Sequence, residues 1–192
     1  MVKSLVVTLC MLAIVSCRSP AGDTPAEQVQ SAIEMRDEAM AGFYAADPDL
    51  RAEVEQAEGY AVFSSFSIHP ALISFASGYG VVTDNATQKV KHTRWLRLTL
   101  GPGIAVKGLY GLVIFHDRQP MEAFEEGCWT IFGQVEASFI FGDFGGSAAH
   151  GWLYDRKANA RYMTHTGVAL ELEVVGIGRV MRNSGLDEAA AP

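Results

Sequence analysis

The sequence lacks the short motifs that mark common catalytic and nucleotide-binding sites. It contains no G-x-S-x-G, no P-loop and no G-x-G-x-x-G pattern. No two of its histidines are four residues apart, and none stands in metal-site spacing from Cys128. These absences argue against an enzyme, a metal site or a cofactor. The five histidines are His69, His92, His116, His150 and His165.

Positive charge is also scarce. Lysine and arginine together number 15, against 22 aspartates and glutamates, which gives a formal net charge of −7. Bulk binding of nucleic acid needs a basic surface, so this balance argues against it. One segment reverses the trend, because no acidic residue occurs between Asn85 and His116.

The N-terminus has the features of a bacterial lipoprotein signal peptide. Lys3 supplies a short basic region, and the apolar run Leu5–Ser16 is shorter than the roughly 20 residues that span a bilayer. The run ends in Ile14-Val15-Ser16-Cys17, which is typical of a lipobox, where the cysteine thiol takes a diacylglyceryl group. We expect residues 1–16 to be removed and residues 17–24 to form a lipidated tether. The alternative is an ordinary secretory signal with a chance cysteine.

Acylation of Cys17 would place the protein in the bacterial cell envelope. Each buried CH₂ of a lipid anchor contributes about 0.8 kcal/mol, so two or three chains hold a protein nearly permanently. Arg18, not aspartate, follows the cysteine, and the expected location is therefore the outer membrane, facing the periplasm. Cys10 would leave with the signal peptide. Cys128 would then be the one free thiol, and no intrachain disulfide could form.

Two helices are predicted at the start of the domain. Thr24 is a suitable N-cap, with Pro25 at the first helical position and Glu27 completing a capping box. Asp47-Pro48 repeats this signal and opens a second helix that ends at Gly59. The first helix could lie on a membrane or pack on the domain. Its polar face is acidic, which favours packing on the domain.

The stretch Gly59–Gly146 is apolar and aromatic, with glycines every few positions. A glycine inside a strand pattern marks a bend, a bulge or a close backbone approach, and we expect such bends at Gly108 and Gly111. The pattern predicts an α+β fold with a strongly curved antiparallel sheet, closed or nearly closed in a barrel-like form. Two N-terminal helices and one short helix between strands complete it.

The predicted domain covers residues 25–183, and residues 184–192 are expected to be a disordered tail. The glycine-rich segment Gly142–Gly151 is expected to be a loop, followed by a hairpin around Lys157-Ala158-Asn159. The short helix is predicted over Gln119–Glu126. The predicted strands are Tyr60–Phe66, Ala71–Thr83, Lys89–Leu100, Ile104–Phe115, Trp129–Phe141, Trp152–Asp155, Arg161–Val168 and Leu170–Val180.

Over roughly Ala26–Arg182 the order of motifs resembles the SYLF-domain family. Two helices lead into AEGYAVF and then SGYGVVTD, with Trp95 after the next hairpin. IAVKGLYGLVIF, the helix MEAFEEG, TIFGQVEASFIFG, WLYDRK and GVALELE follow in that order. The resemblance implies a domain that binds phosphoinositide or phosphatidic acid. Family members in fungi and animals also associate with actin, which is not a sensible partner in a bacterial envelope.

The segment without acidic residues carries the candidate lipid-binding site. Alternate residues of a strand share a face, so Lys89, Lys91, Trp95 and Arg97 are expected on one side, together with two threonines. Each Lys or Arg near an anionic membrane surface contributes about 1 kcal/mol. Tryptophan prefers the membrane interface. The alternative is a solvated outer face with a half-packed indole.

The sequence thus favours a non-enzymatic envelope lipoprotein whose SYLF-like module binds anionic lipid or an envelope component. The expected partners are the membrane, through acylated Cys17, and anionic phospholipid, with no nucleic acid. The alternative function is that of a structural or adaptor lipoprotein that contacts a protein through its sheet without lipid selectivity.

Overall fold

The fold is seen in a computed structural model that describes residues 19–127, 129–141, 144–153 and 158–190. Helix α1 (Pro25–Ala46) begins with the predicted capping box. Thr24 Oγ1 accepts a hydrogen bond from the Glu27 amide at 3.3 Å, and the Glu27 carboxylate accepts one from the Thr24 amide at 3.0 Å. Helix α2 (Leu50–Gln56) follows after a short turn. The second prediction of a helix is therefore also confirmed.

Five strands form one antiparallel sheet in the order β1-β2-β5-β3-β4. Helix α3 (Arg118–Glu125) connects β2 to β3, as predicted, and helix α4 (Ser184–Ala189) follows β5. The α+β class is confirmed. The strands are β1 (Gly59–Asp84), β2 (Val90–Phe115), β3 (Trp129–Phe141), β4 (Phe144–Leu153) and β5 (Ala158–Arg182).

The three longest strands each join segments that the sequence separated. Gly101-Pro102-Gly103 was expected to break a strand, but β2 continues through it with a register shift between Leu100 and Gly103. Pro102 has no N–H to donate and lies within the shift, where no ladder hydrogen bond is required. Irregularities lie opposite it in β1, between Ala71 and Ile73, and in β3, between Phe132 and Gln134.

These aligned irregularities form a line along which the sheet folds over on itself. Ser67 and Ser74, on either side of the line in β1, bring their hydroxyl oxygens to 3.2 Å. Further out, a Cβ added at Gly78 would overlap the carbonyl oxygen of Ser64, so the two halves of β1 lie against each other. The expectation of strong curvature is therefore confirmed.

The expectation of a barrel-like closure is not supported. Among the described residues, β1 pairs only with β2 and β4 pairs only with β3, so the sheet is open at both edges. The physical reason is the fold line: β1 packs back against its own second half instead of reaching β4.

Two further predictions are wrong. The segment expected to be a glycine-rich loop contains β4, which pairs with β3 rather than forming a hairpin with β5. The tail expected to be disordered contains α4, whose Leu186 is buried. Asp187 in the same helix accepts a hydrogen bond from the His92 amide at 2.7 Å. A buried leucine and a buried hydrogen bond hold this segment on the sheet.

Away from the fold line, between the layers of the folded sheet, the protein has conventional apolar cores. Helices α1 and α2 cover the first, in which Phe43 and Val54 pack with Val62 and Leu112 of the sheet. This contact confirms that α1 packs on the domain. Helix α3 covers the second, in which Met121 and Phe124 lie with strand residues. Those strand residues are Ala61, Phe63, Val82, Trp95, Val113, Phe115, Ala158 and Val180.

Candidate functional site

The predicted cationic face is the inner face of the sheet. Trp95 is 7% exposed and Arg97 5%, and Thr93 and Thr99 on either side of them are buried as well. Leu98 and Leu100, which point to the opposite side of the strand, are exposed on the outer face. The alternation of the strand was correct, but the assignment of its two sides was reversed. The prediction that Trp95 and Arg97 lie on an exposed face is therefore wrong.

Trp95 belongs to the second apolar core. Its ring stacks on Phe63 with centroids 5.1 Å apart. Gly178 of β5 leaves room for the indole, since a Cβ there would lie 2.7 Å from Trp95 Cη2. The indole is thus held by packing on both sides.

The two predicted lysines lie near the turn between β1 and β2. Lys89 is exposed, whereas Lys91 is partly exposed and contacts the carboxylate of Glu125 in α3. The four predicted residues therefore do not form one surface. Cys17, the predicted lipidation site, lies outside the described residues.

The outer face at the fold line is apolar across four strands. Phe75 of β1 pairs with Leu98 of β2, which pairs in turn with Ile177 of β5. Ile73 and Leu100 form the neighbouring cross-strand pair on the same face, nearer the fold line. We call this surface the apolar band: Leu72, Ile73, Phe75, Leu98, Leu100, Ile104, Val106, Phe139, Phe141, Val168, Leu170, Leu172, Val174, Val175 and Ile177.

The apolar band carries no exposed charge in the stretches that form it. These stretches are 68–75, 98–106, 137–141 and 166–177, and every ionisable side chain within them is buried. Ile104 is 70% exposed and Leu170 72%, and the two are paired across β2 and β5. Large exposed apolar patches on proteins mark surfaces that contact another protein, a ligand or a membrane.

Behind the apolar band, the inner face holds a cluster of buried charges. Lys107 is 1% exposed, and its ammonium contacts the carboxylates of both Glu136 and Glu171. Thr164 donates a hydrogen bond to the other oxygen of Glu136. One lysine from β2 thus links glutamates from β3 and β5.

A second set of contacts extends the cluster along β2 and β5. Arg97 Nη2 lies 3.3 Å from Glu173 Oε1, which also accepts a hydrogen bond from Thr99 Oγ1 at 2.8 Å. His69 Nδ1 lies 2.9 Å from Glu171 Oε2, and both side chains are fully buried. We call the whole set the ionic cluster: His69, Arg97, Lys107, Glu136, Glu171 and Glu173.

The surroundings of Glu136 favour its charged carboxylate. Burial alone would raise the pKa of Glu136, but the charge of Lys107 and hydrogen bonds from Lys107 and Thr164 outweigh it and lower that pKa. Burial raises the pKa of nearby Tyr162 to about 12, with the charge of Arg97 opposing the rise and that of Glu173 adding to it. Tyr162 therefore stays neutral beside the ionic cluster.

The region of the sheet around the fold line is inverted relative to an ordinary globular domain, with charges inside and apolar side chains outside. The segment GVALELE could have suggested this, because its glutamates and aliphatic residues strictly alternate. Sequence reasoning places glutamates of such a strand in water. Only their partners, Lys107, Arg97 and His69 from distant positions, identify their face as the inner one.

No helix in the described part of the chain is long and apolar enough to cross a membrane. The chain matches no protein-family model and no curated protein sequence.

Proposed function

We propose that this protein is an envelope lipoprotein of the SYLF type, anchored through Cys17, whose folded domain contacts lipid through the apolar band. The domain spans residues 25–189, including helix α4, and the anchor holds it at the outer membrane, on the periplasmic side. In this proposal the contact with lipid is made by aliphatic and aromatic side chains, not by the basic strip around Trp95.

The observation that carries the proposal is the inverted polarity at the fold line. This arrangement is unfavourable in water on both faces of the sheet. The outer face exposes aliphatic side chains to solvent, and the inner face removes charged groups from it. A lipid surface changes the balance, because fully burying one large aliphatic side chain contributes roughly 1.5–3 kcal/mol. The band spans β1, β2, β5 and β3, so several such side chains could enter the acyl region together.

The anchor is tested separately from the domain. Cys17→Ser should abolish incorporation of a radioactive fatty acid and leave the signal peptide uncleaved, since the thiol is the acceptor. Metabolic labelling followed by membrane fractionation measures both outcomes. Labelling that persists in the variant would contradict the lipobox assignment.

Flotation with vesicles tests the domain. Protein lacking residues 1–17, shown to be folded by circular dichroism, should float with neutral phosphatidylcholine vesicles, and raising the salt concentration should not release it. The paired substitution Ile104→Glu with Leu170→Glu should abolish flotation, because a charge at the membrane centre costs about 2.5–3.5 kcal/mol even on an insertion scale. Both side chains are largely exposed, so the fold should survive.

The matched control adds the same two charges elsewhere. Ala45→Glu with Ala52→Glu places the charges at exposed positions within α1 and α2, outside the apolar band. This variant should float like the wild type. Flotation only with phosphatidic-acid or cardiolipin vesicles, lost in salt, would instead favour binding of anionic head groups. No flotation at all would favour the adaptor function.

A further inference from the structure

The ionic cluster has an unequal number of charges. Among the described residues it contains three carboxylates, from Glu136, Glu171 and Glu173, and two permanent cations, from Arg97 and Lys107. Uncompensated charge in a buried site is costly, so the excess of carboxylates favours a bound cation beside them. The remaining member is His69, whose side chain is fully buried.

His69 is held in a definite orientation. Its Nε2 lies 2.9 Å from the carbonyl oxygen of Gly101, which can only accept, so Nε2 carries a hydrogen. Its Nδ1 faces Glu171 Oε2 at 2.9 Å. The backbone of Gly103 lies against both side chains, since a Cβ there would approach His69 Cε1 to 2.8 Å. A histidine that donates one ring N–H to a backbone carbonyl presents its other nitrogen as metal-ligating histidines do.

Glu173 provides a second and independent observation. One of its carboxylate oxygens is occupied by Arg97 and Thr99, whereas Oε2 is fully buried and has no hydrogen-bond partner among the described residues. One ligand atom from each of His69, Glu171 and Glu173 lies within 4.8 Å of the other two. Three donor groups thus converge, and each is held from behind by other protein groups.

We propose that His69, Glu171 and Glu173 bind a divalent transition-metal ion, for which zinc is the natural probe. One imidazole and two carboxylates form a mixed nitrogen and oxygen set, which suits Zn²⁺ better than Ca²⁺ or Mg²⁺. The ion places positive charge beside the carboxylates and gives Glu173 Oε2 a partner. Thr99, Arg97, Lys107 and the Gly101 carbonyl position the ligands.

Protonation of His69 is the competing explanation for the charge. An imidazolium would satisfy the contact with Glu171 and balance the three carboxylates. It would leave the buried Glu173 Oε2 without a partner, because the proton on Nδ1 points at Glu171. A bound cation would contact both Glu171 and Glu173 and so gives Glu173 Oε2 a partner as well.

Zinc binding to the full-length lipoprotein, purified in mild detergent and stripped of metal, tests the proposal. Calorimetric titration with Zn²⁺ should show one saturable site per chain, and elemental analysis should give the same stoichiometry. The melting temperature should rise with zinc, because a ligand that binds only the folded state stabilises it. Ca²⁺ and Mg²⁺ should have no such effect at equal concentration.

Three variants locate the site. His69→Gln and Glu173→Gln should abolish stoichiometric binding, and Thr99→Val, which removes a positioning hydrogen bond, should weaken it by about 10–100-fold. His92→Gln is the matched control, since His92 is equally buried and pairs with Asp187 at 3.2 Å but has no third donor group beside it in the part of the chain that the structure describes. It should bind zinc like the wild type.

The wild-type titration decides the matter even if a variant fails to fold. Folded wild-type protein with no saturable zinc site would overturn the proposal. Zinc bound equally well by folded His69→Gln would also overturn it, because the ion would then lie elsewhere.

Discussion

Two regions of the folded sheet, one beside the helices and one at the fold line, bury opposite kinds of side chain. Beside the helices, Val62 and Leu112 are buried among other apolar residues, and the charges lie outside. At the fold line, Lys107 and Glu171 are buried and Ile104 and Leu170 are exposed. The same strands run through both regions, so strand alternation alone does not determine which face is the inner one. What packs against each face determines it.

The largest expected effect comes from unbalancing the ionic cluster. Lys107→Met should lower the free energy of unfolding by about 3–5 kcal/mol, because it leaves Glu136 and Glu171 buried without their shared cation. Urea melts measure the change. Adding Glu136→Gln to Lys107→Met should restore part of the loss, because it removes one unpaired charge. A cluster exposed to water would instead tolerate Lys107→Met with little change.

A substitution in the first apolar core gives the corresponding loss of unfolding free energy for the region beside the helices. Leu112→Ala should cost about 2–5 kcal/mol, the usual range for removing a buried leucine side chain. Melts monitored by circular dichroism compare it directly with Lys107→Met. If Leu112→Ala were neutral, the first apolar core would not be the close-packed one described above.

The close approach of the two halves of β1 should be sensitive to one methyl group. Gly78→Ala would place a Cβ on the Ser64 carbonyl and should cost about 1–3 kcal/mol through overpacking. Gly111→Ala is the control, because the nearest side chain is Tyr162 at 3.5 Å, an ordinary contact. Equal melting midpoints for the two variants would contradict this difference. The sequence predicted bends at Gly108 and Gly111. A register shift follows Gly108, where a Cβ would lie 2.7 Å from His165 Cε1, so the prediction is confirmed there, but Gly111 is not tightly packed.

The smallest effect concerns a partly exposed ion pair between Arg118 and Asp84. Arg118 donates to Asp84 at 2.5 Å, and this hydrogen bond holds the pKa of Asp84 at about 2. Because this pKa is lowered in the folded state, its contribution to stability is present above the ordinary value of 3.8 and is lost as the pH falls through about 2. Arg118→Gln should raise the pKa of Asp84 toward 3.8 in an NMR titration, with little change in stability. An unchanged pKa would show that Arg118 is not its cause.

Local signals in the sequence were sufficient for the elements that depend on local physics. The capping box at Thr24 and the short helix before β3 were predicted because hydrogen bonds between close neighbours determine them. The strand breaks around Gly101 were wrong, because a register shift inside a ladder resembles a turn in one dimension.

The candidate sites depended on contacts between distant residues and could not be predicted in the same way. Arg97 lies in a segment that alternates like a surface strand. It is nevertheless buried, because its partner is Glu173, 76 residues later. His69 and Glu171 are separated by 102 residues, so no spacing rule connects them. The absence of acidic residues around Lys107 was a real signal. It reflected a strand whose acidic partners lie on β3 and β5.

A fluorescent probe on the apolar band tests the proposed lipid contact most directly. In protein lacking residues 1–17 and carrying Cys128→Ser, an environment-sensitive label would be attached to Leu170→Cys or, as the control, to Ala52→Cys. Neutral vesicles should shift the emission of the label at position 170 to the blue, and brominated acyl chains should quench it, while the label at position 52 stays unchanged. A label at position 170 that remains in water in the presence of vesicles would contradict the membrane contact of the apolar band.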